Sequence, residues 1–345
     1  MRTKLGWALR VGAALGAALA ACAPPAVSSR APIADARGSP VSGAPGLGVP
    51  APGAPGLVAG GHVKVTFLDV GQGDSALVTT DDGASLLVDL GPKDAADRVR
   101  KAMEGHQGAS TTVLLSHAHA DHMGDLDTFA HDVRIGAFWD SGFAERPAKT
   151  YPRALDVFAS RRVPHVVARR GMHMRLGAHA DVEVLAPHEP LHQGTRSDPN
   201  ANSVVVRLTH QGTEPASTVR FLFTGDAEAP TEQRLLEARE TVSADVLKIA
   251  HHGSKHASSA GFLRAVGAKI AIISCASDND YGHPHLATLK RVSQASMTLH
   301  RTDLEGDITV DSEDGRVLVT PSRAAPESLL MQPGRTPSRG AESAP

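Results

Sequence analysis

The chain has 345 residues, a formal net charge of -2 and only 3% aromatic residues. This near-neutral charge excludes a global attraction to nucleic acid, so an anionic substrate would have to be drawn in by a local cluster. The only cysteines are Cys22 and Cys275, which excludes the disulfide framework of small secreted proteins.

The first 22 residues, MRTKLGWALRVGAALGAALAAC, predict an export signal. They combine a basic start, an apolar run too short to span a membrane, and small residues before a cysteine. Residues 19–22 resemble the lipobox of bacterial lipoproteins, which implies cleavage before Cys22 and lipid on its sulfur; an ordinary signal peptide cut nearby is the alternative. Ala23, rather than an aspartate, follows the cysteine. We therefore expect a lipid anchor in the bacterial cell envelope, in the outer membrane facing the periplasm.

The two ends of the mature chain predict no core. Residues 23–60 and 321–345 are rich in Pro, Gly, Ala and Ser and lack periodic apolar residues, which is typical of a disordered tether and a disordered tail. Residues 61–320 are then expected to form one domain. If Cys22 carries lipid, Cys275 has no partner and is expected to be a buried free thiol.

The middle of the chain alternates between predicted strands and helices. Apolar, β-branched runs predict strands in VKVTFLDV, SALVTT, SLLVDL, TVLLS, DVEVLAP, NSVVVRL, TVRFLFTGD, DVLKIA and KIAIISC. Apolar residues three and four apart predict helices in DAADRVRKAMEG, TEQRLLEARE, SSAGFLRAVG and HLATLKRVSQA. Several strand pairs lie too close together for a crossover helix. The expected fold class is therefore α/β of the α+β kind, an αββα sandwich of two mixed sheets with helices outside.

The stretch SHAHADHMGD, residues 116–125, gathers histidines and aspartates between a predicted strand and a predicted helix. His117 and His119 alternate by two, so both imidazoles can converge on one ion if the backbone is extended. Asp121 and His122 follow and can face a second ion or position a water molecule. So many ligand-type residues predict a metal site rather than a solvated turn.

Further candidates follow apolar strands later in the chain. Asp226 comes directly after TVRFLFTG, and His251 and His252 come after ADVLKIA. Helix capping is the alternative role for Asp226, and a surface turn is the alternative for the histidine pair. The position that they share after apolar strands favours the metal site.

Residues 117–122, HAHADH, resemble the HxHxDH motif of the metallo-β-lactamase superfamily of hydrolases. The resemblance implies an αββα sandwich with a one- or two-metal site at one edge of the sheets, where a metal-bound water supplies the nucleophile. The ligands that it implies are His117 and His119 for the first metal, Asp121 and His122 for the second, Asp226 as a bridge, and either His251 or His252 to complete the second.

Other segments narrow the resemblance to the ComEC-like hydrolase subfamily, in a free-standing, exported form. In chain order they are FLDVGQGDS, SLLVDLG, LLSHAHADHMGD, DPNANSVVVRL, FLFTGDAE, DVLKIAHHGS, YGHPH and HRTDLEGDI. The resemblance covers nearly all of residues 61–320 and favours DNA or another phosphodiester as the substrate.

The sequence departs from the wider superfamily at the third histidine of the first metal. That region reads SDPNANSV, and ComEC-like domains are similar in lacking the histidine. His188 and His192 are poorly spaced substitutes, while Asp198 and Asn202 offer oxygen but also fit turn capping. Zinc or a harder ion such as manganese is therefore expected, and the choice stays open.

Two loops are candidates for supporting roles. In DVGQGDS, Asp69 and Asp74 either orient the metal ligands or belong to a plain hairpin turn. In YGHPH, His283, with its neighbours Tyr281 and His285, either serves the substrate or the proton transfer, or caps a helix. The expected catalytic residues are Asp121, His122 and His283.

The main basic cluster, RRVPHVVARRGMHMR at residues 161–175, is better explained as scattered surface charge than as a guide for substrate. The favoured function is a metal-dependent hydrolase, a phosphodiesterase or nuclease. Hydrolysis of a lactam, a lactone or a cell-envelope ester on the same fold is the second interpretation, and a lipid-anchored binding module with a degenerate metal site is the third.

Overall fold

The computed structural model describes residues 57–144 and 148–334. The predicted export signal, Cys22, most of the predicted tether and the last residues of the predicted tail lie outside the described residues. All the described residues belong to one compact unit. Within them, no helix has the length and apolar character needed to cross a membrane.

The strands of the described region are short and mostly buried. They are β1 (His62–Phe67), β2 (Ala76–Thr80), β3 (Ser85–Val88), β4 (Thr111–Leu115), β5 (Ala137–Asp140), β6 (His165–Val167), β7 (His173–Leu176), β8 (Ala180–Ala186), β9 (Val205–His210), β10 (Val219–Phe223), β11 (Val246–Lys248), β12 (Ile270–Ile273), β13 (Thr298–Arg301), β14 (Ile308–Glu313) and β15 (Arg316–Pro321).

The helices lie between these strands. They are α1 (Ala96–Ala102), α2 (Ala120–Met123), α3 (Leu126–Asp132), α4 (Thr150–Ser160), α5 (Asp198–Ala201), α6 (Ala229–Glu237), α7 (Ala260–Val266), α8 (Leu286–Gln294), α9 (Thr302–Glu305) and α10 (Glu327–Leu330). Short 3₁₀ turns occupy Lys93–Ala95, Pro215–Ser217 and Ala250–Gly253.

The strands form two mixed sheets. The eight-stranded sheet has the order β15-β14-β1-β2-β3-β4-β5-β6, and the seven-stranded sheet has the order β13-β12-β11-β10-β9-β8-β7. In the first, β3 to β6 run parallel and the other pairs are antiparallel. In the second, β10 to β13 run parallel and the other pairs are antiparallel.

Three apolar layers hold the sheets and helices together. Val65 and Phe67 of the first sheet pack with Val206 and Phe221 of the second, between the two sheets. Residues of α1, α3 and α4 cover the outer face of the first sheet, and residues of α6, α7 and α8 cover that of the second. The structure is therefore the αββα sandwich that the strand and helix patterns predicted.

The ordered region continues past the boundary that composition suggested. Residues 322–334 carry the short helix α10, and the buried Arg301 guanidinium donates to the carbonyls of Leu330 (3.0 Å) and Gln332. The Gly334 N–H also donates to the Pro284 carbonyl at 3.1 Å. Main-chain hydrogen bonding to a buried cation explains order that apolar periodicity could not reveal. Cys275 is buried and free, as predicted.

Candidate metal centre

The candidate ligands lie where the parallel strands of both sheets end. His117 and His119 follow β4, Asp226 follows β10, and the histidine pair follows β11. The carboxyl ends of parallel strands meet at one edge of a sheet, which brings together residues far apart in sequence. Gly225 makes the approach possible: its φ is +49°, and a Cβ there would lie 2.7 Å from the Ser116 Cβ.

One ligand cluster consists of Asp121, His122, Asp226 and His252, whose donor atoms lie within 4.8 Å of one another. His122 Nε2 is 3.2 Å from Asp226 Oδ1, and His252 Nε2 is 3.3 Å from Asp121 Oδ2 and 3.6 Å from Asp226 Oδ1. These are the positions expected for the second metal. Of the adjacent histidines, His252 is the member that joins this cluster.

The buried ligand atoms of this cluster that lack hydrogen-bond partners suit a divalent cation. His122 Nε2, His252 Nε2 and Asp226 Oδ1 are buried and have no hydrogen-bond partner among the described residues. Buried polar atoms without partners are costly, and here they converge on one point. Imidazole nitrogens and carboxylate oxygens are a donor set that zinc and manganese accept.

A second cluster consists of His117, His119 and Asp226. His117 Nε2 is 2.9 Å from His119 Nδ1 and 3.8 Å from Asp226 Oδ2. The two oxygens of Asp226 therefore face different histidine sets, which is the geometry of a bridging carboxylate. His251 Nε2 lies 3.6 Å from the same Oδ2 without belonging to this cluster.

A buried carboxylate fixes the ring of His122 from behind. Asp89, which directly follows β3, lies 2.9 Å from His122 Nδ1 and accepts hydrogen bonds from the N–H and the hydroxyl of Ser116, at 2.6 Å and 2.8 Å. A proton held on Nδ1 by this contact leaves the Nε2 lone pair directed at the ion.

The ring of His252 has a corresponding support. Its Nδ1 lies 3.0 Å from the Ser274 carbonyl, which can only accept, and 3.1 Å from Asp74 Oδ1. Asp74 in turn is paired with the Lys248 ammonium at 2.8 Å, and both residues are 5% exposed. The side chains of Lys248 and Asp74 therefore hold the Nε2 of His252 toward the cluster.

Burial and the neighbouring charges have opposite effects on the pKa values of Asp226 and His252. Burial opposes ionisation of Asp226, but the surrounding His122, His252 and His251 rings hold its pKa well below the ordinary value. Burial would lower the pKa of His252, but the carboxylates of Asp226 and Asp74 raise it to about 10. Without a metal, the cluster is thus held together by ion pairs, and metal uptake must displace protons from the histidines.

His251 and His252 have unusual backbone conformations. Both have positive φ, +50° and +51°, in the left-handed region that β-carbons disfavour. His251 Nδ1 contacts Glu228 Oε1 at 2.9 Å, and Arg196 pairs with the same carboxylate. Glu228, not Asp226, occupies the N-cap position of α6, so the capping alternative does not describe Asp226.

Neither oxygen-bearing alternative for the third ligand of the first site is free, because both side chains are hydrogen-bonded elsewhere. Asp198 accepts hydrogen bonds from Gly194 and Thr195, and Asn202 bonds the backbone of His192. His188 and His192 have ring nitrogens without a hydrogen-bond partner among the described residues, but neither belongs to a ligand cluster. His188 lies 3.6 Å from Glu240. Asn200, which the sequence did not single out, is buried beside His251 and has an Oδ1 with no hydrogen-bond partner among the described residues.

An open cleft of about 620 Å³ lies over the clusters and is lined by their members His119, Asp121, Asp226 and His252. His283 lines it, with ring centroids 5.4 Å from His251 and 6.0 Å from His252. Burial and those two rings lower the pKa of His283 to about 3, so the ring is neutral at neutral pH, a weak base suited to hydrogen bonding. Tyr281 and His285 line the cleft too; His285 is the N-cap residue of α8 but makes no side-chain capping bond.

The cationic side chains that line the cleft are Arg196 and Lys255. The basic cluster of residues 161–175 does not line it: Arg169 pairs with Glu189 and Arg170 with Glu240. Asp69 also lies elsewhere, 3.0 Å from Arg323. Of the two aspartates in DVGQGDS, only Asp74 contacts the ligand cluster.

Sequence reasoning missed several supporting residues. Asp89 had a usable signal, because an acidic residue directly after a buried strand is the same feature that singled out Asp226. Lys248 had none, since a lysine at the end of a strand is usually a solvated side chain. Glu228 resembled an ordinary acidic residue at a helix start.

The comparisons with known proteins place the chain beside one superfamily. Residues 68–210 match the model of the Metallo-beta-lactamase superfamily, and the chain contains a domain of that superfamily. The homologues of this chain are ComEC-like. The chain is 26% identical over 264 residues to ComE operon protein 3 of Bacillus subtilis, covering 71% of this chain and 32% of that protein. It is 28% identical over 265 residues to Recombination protein 2 of Haemophilus influenzae, with 75% and 30% covered.

The chain therefore spans about a third of the length of these curated relatives. Two solved structures are also similar. A metal-dependent hydrolase of the beta-lactamase superfamily has a TM-score of 0.45 at 15% identity, with 69% of this chain and 95% of that chain covered. The metallo-beta-lactamase GOB-18 of Elizabethkingia meningoseptica has a TM-score of 0.35 at 16% identity, with 53% and 71% covered.

Proposed function

We propose that this protein is a metal-dependent phosphodiesterase. The observation that carries the proposal is the convergence of buried ligand atoms of His122, His252 and Asp226, without hydrogen-bond partners among the described residues, beside an open cleft that Asp226 and His252 line. Divalent ions held there would polarise a phosphoryl oxygen and lower the pKa of water. Relatives named for competence or recombination support a nucleic-acid diester as the substrate.

The residues around the ligands have separate tasks in this proposal. Asp226 holds both ligand sets in register, and Asp121 completes the second set. The guanidinium of Arg196 and the ammonium of Lys255 line the cleft and would attract the phosphate. The neutral ring of His283 would orient the nucleophile or the substrate by a hydrogen bond.

The test uses the full-length chain, stripped of metal and reloaded separately with zinc and with manganese. Hydrolysis of bis(p-nitrophenyl) phosphate and of DNA is compared with that of a lactam, a lactone and a carboxylic ester. We expect diester cleavage that requires metal and is lost in Asp121→Ala and His122→Ala.

The control is His188→Ala, which removes a histidine outside the cleft and should leave the rate unchanged. Cleavage of the lactam, lactone or ester alone would replace the phosphodiesterase proposal by the second interpretation. Stoichiometric metal binding without any turnover would favour a binding module.

We also propose that the chain is exported and anchored to the cell envelope through lipid on Cys22, in the outer membrane. The support is the sequence of residues 1–23 alone, with Ala23 favouring the outer membrane. In cells, Cys22→Ala should move the protein from the membrane fraction to the soluble fraction. An unchanged distribution would argue against the anchor.

A further inference from the structure

An exposed aromatic ring stands at the mouth of the cleft. Tyr281 is 63% exposed and lines the cleft beside the candidate ligands. The other tyrosine of the chain, Tyr151, is 7% exposed and donates its hydroxyl to Asp140 at 2.5 Å. Tyr151 thus serves the core, whereas the core does not use the ring of Tyr281.

The loop that carries Tyr281 is held rigidly by one buried amide. Asn279, 5% exposed, accepts hydrogen bonds from the N–H groups of Tyr281 (3.1 Å) and His283 (2.9 Å). Its amide group donates to the carbonyls of Ala276 (3.0 Å) and His283 (2.7 Å). A ring on such a loop loses little conformational freedom when it contacts a ligand.

The orientation of the ring suits stacking. The planes of Tyr281 and His283 are nearly parallel, at 19°, with centroids 5.5 Å apart. His283 in turn lies beside His251 and His252, so a series of rings leads from the candidate metal centre to the solvent. With 63% of Tyr281 exposed, a planar ligand can still reach the tyrosine.

Cationic groups line the same cleft. Lys255 and Arg196 supply positive charge near the candidate ligands, although the Glu228 carboxylate partly offsets that of Arg196. An aromatic platform combined with cations along one groove is how proteins bind unpaired nucleotides, with the base on the ring and the phosphate on the cation. Duplex DNA would offer no such free base face.

We propose that Tyr281 forms a stacking subsite for a base next to the phosphodiester that is cleaved. The proposal rests on the proposed function and deepens it, because it names single-stranded nucleic acid, DNA or RNA, as the substrate class. Tyr281 is then a specificity-determining residue that touches substrate rather than a part of the metal centre.

Binding is measured first, in an Asp121→Ala background that prevents cleavage. Short DNA and RNA strands carrying 2-aminopurine report stacking by loss of fluorescence. We expect Tyr281→Ala to weaken binding about 5- to 150-fold and to abolish the fluorescence loss, because one base stacked on an aromatic side chain contributes that much affinity. Tyr281→Phe keeps the ring and is the matched control. Comparing the affinities of the DNA strand and the RNA strand shows which of the two the subsite prefers.

Cleavage by the metal-loaded chain gives an independent measurement. A single abasic site is moved along the strand, and its effect is compared in wild type and Tyr281→Ala. If Tyr281 stacks on a base, an abasic site at that position slows cleavage by the wild type. It does not slow the variant further, because Tyr281→Ala has already removed the same stacking contact. Circular dichroism of the variant is the control that this exposed substitution leaves the fold intact.

Equal binding by wild type and Tyr281→Ala, with equal abasic profiles, would overturn the subsite even if diester hydrolysis is observed. If the strand binds and its fluorescence is quenched by Tyr281 but it is never cleaved, the phosphodiesterase proposal fails, while Tyr281 remains a stacking site for a base of a bound strand. Preference for duplex over single strand, unaffected by Tyr281→Ala, would also overturn it.

Discussion

Asp89 and Asp74 support the two histidines of the Asp121, His122, Asp226 and His252 cluster by different means. Hydrogen bonds from Ser116 stabilise the Asp89 carboxylate, whereas the Lys248 ammonium stabilises Asp74. Burial raises the pKa of Asp89; it would do the same for Asp74, but Lys248 and His252 lower that pKa to about 2. The orientation of His252 therefore depends on the charge of Lys248, a residue that no sequence pattern singled out.

Lys248→Met should destabilise the protein by about 3–5 kcal/mol, because it leaves the Asp74 carboxylate buried without its cation. Metal affinity should fall as well, since His252 loses its fixed orientation; outer partners of ligands typically contribute about 10- to 100-fold. Urea unfolding of the metal-free chain and calorimetric metal titration measure the two effects. Lys290→Met, the same change at an exposed position, is the control. Equal stability of the two variants would contradict the role of Lys248.

The metal-free protein should lose stability as pH rises above neutrality. His252 has a folded pKa of about 10 against 6.5 ordinarily, so its contribution is fully present below pH 6.5 and disappears as pH rises through 10. Asp74 acts in the opposite sense: its folded pKa of about 2, against 3.8, contributes stability above pH 3.8 that is lost as pH falls through 2. Thermal midpoints from pH 5 to pH 10, compared with His252→Ala, measure the alkaline loss. Parallel curves for the two proteins would refute it.

Element by element, the strands with continuous apolar runs were predictable and the marginal ones were not. All the strands that the sequence predicted, such as β1 and β10, are present, since a buried strand has no polar face to obscure its pattern. The sequence missed β5, β6, β7 and β13. It also missed the β14–β15 hairpin, although its Asp314-Gly315 turn between alternating residues was a usable signal.

The candidate site residues that could be predicted are those that directly follow predicted strands. Asp226 and the histidine pair were found because they directly follow apolar strands. No local pattern could decide between His251 and His252, since their directions depend on consecutive left-handed backbone conformations. The same limit applied to Asn200, whose environment is set by residues distant in sequence.

The turn after β10 should tolerate no side chain. In Gly225→Ala the new Cβ would lie 2.7 Å from Ser116, pushing the end of β10 away from the end of β4. Gly83→Ala is the matched control, because Gly83 also has positive φ but nothing within 4 Å of the added carbon. Backbone strain alone costs about 1–2 kcal/mol in the control. Gly225→Ala should cost about 1–3 kcal/mol more through overpacking and should weaken metal binding. Equal urea midpoints and equal metal affinities would contradict this.

At the scale of the whole molecule, attraction of a polyanion has to be local, because the net charge is only -2. Lys255→Ala in the Asp121→Ala background should weaken binding of a DNA strand. The slope of log affinity against log salt should decrease by about 0.7, the value for one phosphate contact on a single strand. Lys101→Ala, exposed on α1 and outside the cleft lining, is the control. Fluorescence titrations at several salt concentrations make the measurement, and identical slopes would refute the contact.

The four-residue cluster joins the two halves of the sandwich. Asp121 and His122 follow a strand of the first sheet, while Asp226 and His252 follow strands of the second. An ion bound by all four would act as a removable cross-link in a molecule whose described residues include a single cysteine. At a free metal concentration 100-fold above Kd, such binding adds about 2.7 kcal/mol of stability. The stability of the folded protein would then follow the metal supply of its surroundings, and starvation for metal would leave the two sheets joined by their apolar interface and the ion pairs of the cluster alone.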